Sequence, residues 1–328
     1  MEVDWQPTAD IATLRERARL LARVRAFFSD RGVLEVDTPV LGHGGSTEMH
    51  LASLFAEATT PAGHERLWLQ TSPEFHMKRL LAAGSGPIFQ LARSFRDGEV
   101  GRRHNLEFTM LEWYRPGLGL DALIEETAAL VNTVLGQELG DKPGPPQRRR
   151  YRELFRQTLA IDPFTLPLDA LRRLAGQRGG LDMTDSDRDA CLDLLMSLEI
   201  EPHLGRDGLE VVVDYPASQA ALARHHRDPE DGARVASRFE LYFEGLELAN
   251  GYDELTDADE QAARFEQDNA DRRAARLPEV DVDARLLAAL VHGMPEGSGV
   301  ALGLDRLIQL ALGKQSVAEV MAFATPRC

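Results

Sequence analysis

Two strand-like runs, Ile88–Phe95 (IFQLARSF) and Glu107–Tyr114 (EFTMLEWY), flank the charged segment RDGEVGRRHNL, and this arrangement restricts the folds open to the chain. If the runs pair, they form a β-hairpin with a long cationic tip carrying Arg96, Arg102, Arg103 and His104. Side chains alternate along a strand, so Phe108, Met110, Glu112 and Tyr114 share one face. A carboxylate beside a phenol on a sheet face suits recognition of an amine. Further strand signals fall at Val33–Val36, Leu67–Thr71, Leu209–Tyr215, Arg238–Leu248 and Gly299–Gly303. Strands that follow strands, with few alternating helices, favour an antiparallel β-sheet flanked by helices, an α+β fold. Helical periodicity predicts a helix over 13–31, with Leu14, Leu21, Val24 and Phe28 as its apolar stripe and Gly32 as its stop. Other helices are predicted over Pro73–Ala83, burying Phe75, Leu80 and Leu81, over 121–135, over the charged stretch 258–276, and from Asp305 to Leu312. Gly140–Arg150 (GDKPGPPQRRR) is a break in composition, and 151–205 alternates short helical patterns with Pro and Gly stops.

Charge narrows the function. The 328 residues carry 37 Lys plus Arg against 53 Asp plus Glu, a formal net charge of −16. Such a chain repels a nucleic-acid backbone, so an anionic ligand has to meet a local cluster of Arg. The 43% hydrophobic content is enough for a sizeable core, as one large domain or two ordinary ones. Cys191 and Cys328 lie far apart without metal-ligand spacing, which fits a reducing, cytoplasmic setting. Met1–Asp10 is acidic and polar, unlike a signal peptide, and no stretch reaches the roughly 18 apolar residues of a membrane helix.

The chain lacks GxxxxGK[ST], HExxH and CxxC. A GxGxxA at Gly117, Gly119 and Ala122 reads as an ordinary turn and helix start. Arg96 leaves the first hairpin strand where its guanidinium can fork onto a phosphate oxygen. Glu240, Glu247 and Glu254 are spaced seven apart. A two-residue turn at Glu244–Gly245 sets Tyr242 opposite Glu247 and Glu240 diagonally from it on the same face. Two carboxylates there repel unless a cation lies between them, and Mg2+ bridging ATP phosphates would satisfy both. Glu254 lies beyond Asn250–Gly251, a second turn signal, and could meet a ligand's ammonium group. In SGVALGLDRLIQLALG, Val300–Leu302 reads as a central strand. Gly303 would let a flat ring lie against the backbone, and Arg306 would add positive charge at a helix start. Singly these have ordinary readings as a solvated loop, surface carboxylates and a packed corner. Together they supply two phosphate-facing Arg, an acidic pair and an amine-facing pocket.

On these residues the chain resembles the class II aminoacyl-tRNA synthetases, over nearly its whole length. The 13–31 helix with its strand and Pro39 resembles motif 1, Phe95-Arg96 through Glu107-Phe108 motif 2, and Gly303-Leu304-Asp305-Arg306 motif 3. TSPEFHMKRLL, RHNLEFTMLEWY and GLELANGYDELTDADEQAARFEQDN look like the lysyl subclass. Motif 1 begins within the first 15 residues, leaving no room for an OB-fold anticodon-binding domain. That shortness, with Ser72-Pro73-Glu74 and with Ala301, resembles the paralogues that join (R)-β-lysine to a lysine of translation elongation factor P. Lysyl-tRNA synthetases usually carry Ala and Gly at the positions of Ser72 and Ala301.

The resemblance implies one catalytic domain over 1–328, a helical insertion at 151–205, a homodimer through motif 1, and no tRNA, DNA or membrane partner. It implies ATP and Mg2+ as cofactors, with adenylate formation followed by attack of a partner lysine. Arg96 and Arg306 are the implied catalytic residues. Arg96, Asp97, Gly98, Asn105, Glu247, Leu248, Gly303 and Arg306 would bind ATP, and Glu240 and Glu247 would hold Mg2+. Ser72, Pro73, Glu74, Tyr114 and Glu254 would bind the amino acid. One departure stands out: the family usually reads Arg-x-Glu in motif 2, and Gly98 occupies the position of that adenine-binding Glu. Another is Leu106, where the family usually has Pro. A truncated tRNA-charging enzyme and a non-catalytic regulatory paralogue are the competing readings. Arg102, Arg103 and Arg148–Arg150 are local exceptions to the acidic balance, read either as facing a partner or, for the latter three, as a solvated linker.

Overall fold

The computed structural model describes residues 5–49, 51–136 and 144–328. Met1–Asp4 of the polar N-terminus and Gly140–Pro143 of the composition break lie outside the described residues. The chain divides into two compact units. Unit 1 comprises Met1–Leu118, Ala129–Lys142 and Leu255–Cys328, and unit 2 comprises Gly119–Ala128 and Pro143–Glu254.

Unit 1 opens with α1 (Ile11–Ser29), whose N-cap Asp10 accepts a hydrogen bond from the Thr13 N–H at 2.6 Å. That bond holds the Asp10 carboxyl below its ordinary value. The helix ends at Ser29, and the Val33 N–H reaches back to the Phe28 carbonyl at 3.1 Å beyond the predicted Gly32 stop. Its buried side chains are Thr13, Leu20, Val24, Phe27 and Phe28. The predicted stripe is therefore rotated: Leu14 and Leu21 are only half-buried. Phe28 stacks on Phe89 with ring centroids 4.4 Å apart and meets Trp113 edge-on at 5.3 Å.

Then follow β1 (Leu34–Glu35), β2 (Leu41–Gly42), β3 (Phe55–Thr60), β4 (Gly63–Leu69), α2 (Glu74–Ala82), β5 (Ile88–Phe95) and β6 (Glu107–Pro116). The predicted hairpin is present: β5 and β6 pair antiparallel from Phe95 opposite Glu107 to Ile88 opposite Tyr114. β1 joins the other edge of β5 in parallel, with Leu34 opposite Ile88. β2, β4 and β3 form a separate three-stranded sheet. α3 (Leu120–Leu135) begins where the GxGxxA segment was read as a turn and helix start.

Unit 2 continues with β7 (Gln147–Arg150), α4 (Tyr151–Leu159), α5 (Leu168–Gly179) and α6 (Arg188–Leu195). A π-helical turn at Met196–Ile200 leads to β8 (Glu210–Pro216), β9 (His225–Arg227), β10 (Arg234–Phe243) and β11 (Leu246–Asp253). β10 lies between β8 and β11, antiparallel to both, and β7 runs parallel to β8. The 151–205 segment holds α4, α5 and α6, and Phe155, Leu171, Leu192 and Leu195 join Tyr215 and Tyr242 in one buried cluster. The turn between β10 and β11 falls at Glu244–Gly245, with φ of 53° and 69°. This is the left-handed geometry that matches strand twist in two-residue hairpins.

The chain returns to unit 1 with α7 (Ala258–Ala274), α8 (Ala284–Gly293), β12 (Gly297–Gly303) and α9 (Leu304–Ala311). β12 pairs antiparallel with β6, Gly303 opposite Met110 and Gly297 opposite Pro116. β6 is thus interior to its sheet, and Thr109–Tyr114 are all buried. The fold is α+β with a largely antiparallel sheet, as expected, and β1–β5 and β7–β8 pair in parallel. Among the described residues no helix is long and apolar enough to cross a membrane.

Candidate active site

In unit 1 the β5–β6 tip and the start of α9 come together. Arg306 Nη2 lies 2.5 Å from His104 Nε2, and Arg306 Nε donates to the Arg103 carbonyl at 3.3 Å. Burial and then the Arg306 charge push the His104 imidazole below its ordinary value, so the neutral ring accepts from the guanidinium. Asp305, next to Arg306, is buried, pairs with Arg17 of α1 at 2.6 Å and accepts from the Thr109 N–H of β6 at 2.7 Å. The predicted motif 3 arginine is therefore seated by elements that carry the other two predicted motifs.

Arg96 continues the hairpin through its N–H to the Leu106 carbonyl. Its guanidinium lies 5.3 Å over the Phe108 ring and 3.8 Å from Glu99. Asp97 bonds the Gly98 N–H at 2.9 Å, and Gly98 has φ +77°. A glutamate there would be strained, which gives a physical reason for the departure from Arg-x-Glu, and Glu99 takes the place beside Arg96. Asn105 is occupied at both ends of its amide, donating to the Glu107 carbonyl at 2.6 Å and accepting from the Thr325 N–H at 3.0 Å. At Gly303 an added Cβ would meet only the Arg306 side chain, at 3.6 Å, so protein packing does not use up the space there.

Glu112, 2% exposed, and Tyr114 lie two apart on β6, and the Tyr114 hydroxyl donates to Glu112 Oε1 at 2.6 Å. Glu74 opens α2 behind Ser72 and Pro73, with its N–H donating to Ser72 Oγ at 3.3 Å. Its carboxylate meets Lys78 Nζ at 2.6 Å, one helical turn on. Lys78 is 1% exposed, a buried ammonium where the sequence pointed to Leu80.

In unit 2 Tyr242 does stand opposite Glu247. Glu240 is buried, and its carboxylate accepts from Arg238, from the Tyr215 hydroxyl at 2.5 Å and from the Tyr242 hydroxyl. The cation expected between carboxylates is, for Glu240, a guanidinium. Burial and then Glu240 raise the Tyr215 and Tyr242 phenols well above their ordinary range, so both remain donors. Glu240 does not fit a metal in this arrangement, because both its oxygens are already engaged. Among the described residues no group of three or more His, Cys, Asp or Glu forms a metal cluster. Glu247 is half-buried and Leu248 buried in β11. Glu254 is buried just past β11, bridged to Ala223. Asn250–Gly251 is not a turn: both residues pair within β11, opposite Glu240 and Phe239, and Asn250 accepts from Arg238 at 3.2 Å.

Arg148–Arg150 are not a solvated linker. They lie in β7 and pair inside unit 2 with Asp121, with Glu210, and with Asp214 and Asp228.

A family model described as "tRNA synthetases class II (D, K and N)" matches residues 3–327. The chain belongs to this class II tRNA synthetase family. Similar proteins include one from Erwinia tasmaniensis, 50% identical over 99% of this chain and 98% of the relative, and one from Klebsiella pneumoniae subsp. pneumoniae, 49% identical over 98% of each. A third, from Edwardsiella ictaluri, is 49% identical over 98% of each. All three are named elongation factor P--(R)-beta-lysine ligase.

For this class II synthetase the Glu74–Lys78 pair yields a direct prediction. Lys78→Met should leave a largely buried carboxylate without its counter-charge and cost about 3 kcal/mol. Glu74→Gln in the same chain should recover most of that loss. Urea denaturation of the single and double variants checks it, and equal midpoints for wild type and Lys78→Met would contradict the pairing.

Proposed function

We propose that this class II synthetase activates (R)-β-lysine as its adenylate and transfers it to a lysine ε-amine of translation elongation factor P. The observation that carries this reading is the placing, along β6 of unit 1, of a cationic tip joined to Arg306 and a buried Glu112–Tyr114 pair. One end suits phosphates and the other suits an ammonium group. Relatives about half identical over nearly their full length, named as that ligase, support it.

In the proposed reaction the substrate carboxylate attacks the α-phosphorus of ATP. The bond to pyrophosphate breaks and a mixed anhydride with AMP forms. Arg96 stabilises charge at the α-phosphate and Arg306 at the γ-phosphate, in positions set before the substrate arrives. Asp97, Gly98, Asn105, Glu247 and Leu248 complete the nucleotide contacts, with Gly303 beneath the adenosine. Ser72, Pro73 and Glu74 are assigned to the carboxylate end and its amine, and Tyr114 and Glu254, joined here by Glu112, to the distal ammonium. A neutral lysine amine of the factor then attacks the carbonyl and AMP departs. Magnesium belongs to this reading as the counter-ion of ATP. Glu247 is its proposed protein contact, and Glu240 joins only if Arg238 releases it. A homodimer through α1 and the Pro39 segment, which exposes Leu34 and Val40, and a cytoplasmic setting complete the proposal.

Pyrophosphate exchange tests the first half. Exchange dependent on (R)-β-lysine, with transfer of label to elongation factor P and none to tRNA, is the expected result. Exchange driven far better by α-lysine, with charging of tRNA, would overturn it, as would a background rate with both amino acids.

A further inference from the structure

Arg17 lies in the first half of α1, and its guanidinium reaches three other parts of unit 1. Nη2 pairs with Asp305 Oδ1, in the first turn of α9, at 2.6 Å and donates to Thr109 Oγ1 of β6 at 3.0 Å. Nη1 donates to the Val320 carbonyl at 3.2 Å, in the short helical turn Val317–Val320. The Arg17 side chain keeps 12% of its surface exposed and that of Asp305 5%. A planar guanidinium can serve a carboxylate, a hydroxyl and a carbonyl at once in fixed directions, which a lysine ammonium cannot. The Val317–Val320 turn is itself tied to the cationic tip, because the Val317 N–H donates to the Arg102 carbonyl at 3.0 Å. Arg17 thus fastens the start of α9 and, through that turn, the tip that meets the Arg306 guanidinium.

Asp305 connects this contact to the chemistry. It directly precedes Arg306. Its Oδ2 accepts from the Thr109 N–H at 2.7 Å, and its Oδ1 is buried against Arg17. Both oxygens of a buried carboxylate are therefore engaged, and its charge is balanced where it stands. Removing the guanidinium has two effects. The start of α9 loses the contact that sets it against α1 and β6, and a misplacement of about 1 Å can cost a reaction on the order of a hundredfold. The carboxylate also becomes an unbalanced negative charge beside Arg306, in surroundings where charge is poorly screened. That charge repels phosphate. Both effects have the same sign: the site holds a triphosphate less well.

We infer, on the proposed role of Arg306 at the γ-phosphate, that Arg17 is a positioning residue for Arg306. It sets the start of α9 and neutralises Asp305, so that the Arg306 charge is available in full to the nucleotide. Arg17 itself touches no substrate in this reading. The dependence is selective. Ligands that carry the outer phosphates need Arg306 and therefore Arg17. The aminoacyl-adenylate, which has lost the β- and γ-phosphates, needs neither.

Calorimetric titration of the full chain with two ligands tests this. One is a non-hydrolysable ATP analogue, the other a sulfamoyl analogue of the adenylate, which lacks the outer phosphates. Arg17→Gln should weaken the ATP analogue about tenfold or more and change the adenylate analogue by less than about twofold. Arg17→Lys keeps a counter-charge for Asp305 but not the three-way contact. It should fall between wild type and Arg17→Gln for the ATP analogue and again spare the adenylate analogue, and it carries the test if Arg17→Gln does not fold. Arg306→Ala, titrated alongside, should show the same selectivity. An Arg306→Ala variant that binds the ATP analogue like wild type removes the γ-phosphate role and this inference with it. A selective Arg306→Ala, with Arg17 variants that bind both ligands normally or weaken both equally, overturns this inference alone.

Discussion

Arg152→Ala should destabilise unit 2 by about 3–5 kcal/mol. Arg152 is 1% exposed and sits among Asp228 at 3.1 Å, Asp231 at 2.6 Å and Asp162 at 3.4 Å. The Asp228 side chain is fully buried, so without Arg152 it keeps one cation, Arg150 at 2.7 Å, and the Glu230 N–H at 2.9 Å against its desolvation. The same cluster gives a pH dependence whose sign is fixed. Burial alone would raise Asp228 and Asp162. Hydrogen bonds from Arg150 and the Glu230 N–H to the former, and from the Phe164 N–H and Arg156 to the latter, together with the charges of the neighbouring guanidiniums, outweigh it and leave both below their ordinary value. A carboxyl depressed in the folded state stabilises above its unfolded pKa and loses that contribution as pH falls through the folded value. Urea midpoints should therefore be level at neutral pH and fall once the pH drops below about 4, the ordinary carboxylate value. The fall should be shallower in Arg152→Ala. A variant within 1 kcal/mol of wild type at pH 7 would show that the cluster is ornamental.

Arg306→Ala should slow adenylate formation on the order of 10²–10³-fold, the loss typical when one fixed charge stabiliser of a transition state is removed. Stability should change little, since the guanidinium sits at a partly exposed tip, where it meets the Arg103 carbonyl and His104. Arg306→Lys should restore only part of the rate, because an ammonium cannot fork. Single-turnover pyrophosphate release separates this from an effect on nucleotide affinity. A loss below tenfold in kcat would remove Arg306 from the proposed chemistry.

Local patterns in the sequence were read well, and long-range pairings were not. The β5–β6 hairpin and the Glu244–Gly245 turn follow from alternation and from a two-residue turn between apolar strands, both settled by near neighbours. Asn250–Gly251 misled because the dipeptide is a turn signal only where no neighbouring strand claims it, and β10 does. The Arg148–Arg150 run looked like a solvated linker because its partners stand as much as 78 residues further on. Arg152 and Asp228, 76 residues apart, likewise leave no periodic trace. At the candidate site, residue types carried the chemistry to Arg96, Arg306, Glu112 and Tyr114. Their occupancy could not be read: that Glu240 is taken by Arg238 and two phenols, or Glu74 by Lys78, depends on which side chains the fold brings within 3 Å.

The pairing of β6 with β12 also sets a timetable for synthesis. Thr109 in β6 is bonded to Asp305, 196 residues later. A ribosome adding about 5–20 residues per second needs roughly 10–40 s to cover that distance. Throughout that interval the apolar strand emerges with one hydrogen-bonding edge open, a template for pairing with another nascent chain. The last tenth of the polypeptide therefore closes the sheet, and overproduction should strain the cell's holding chaperones before it strains the finished enzyme.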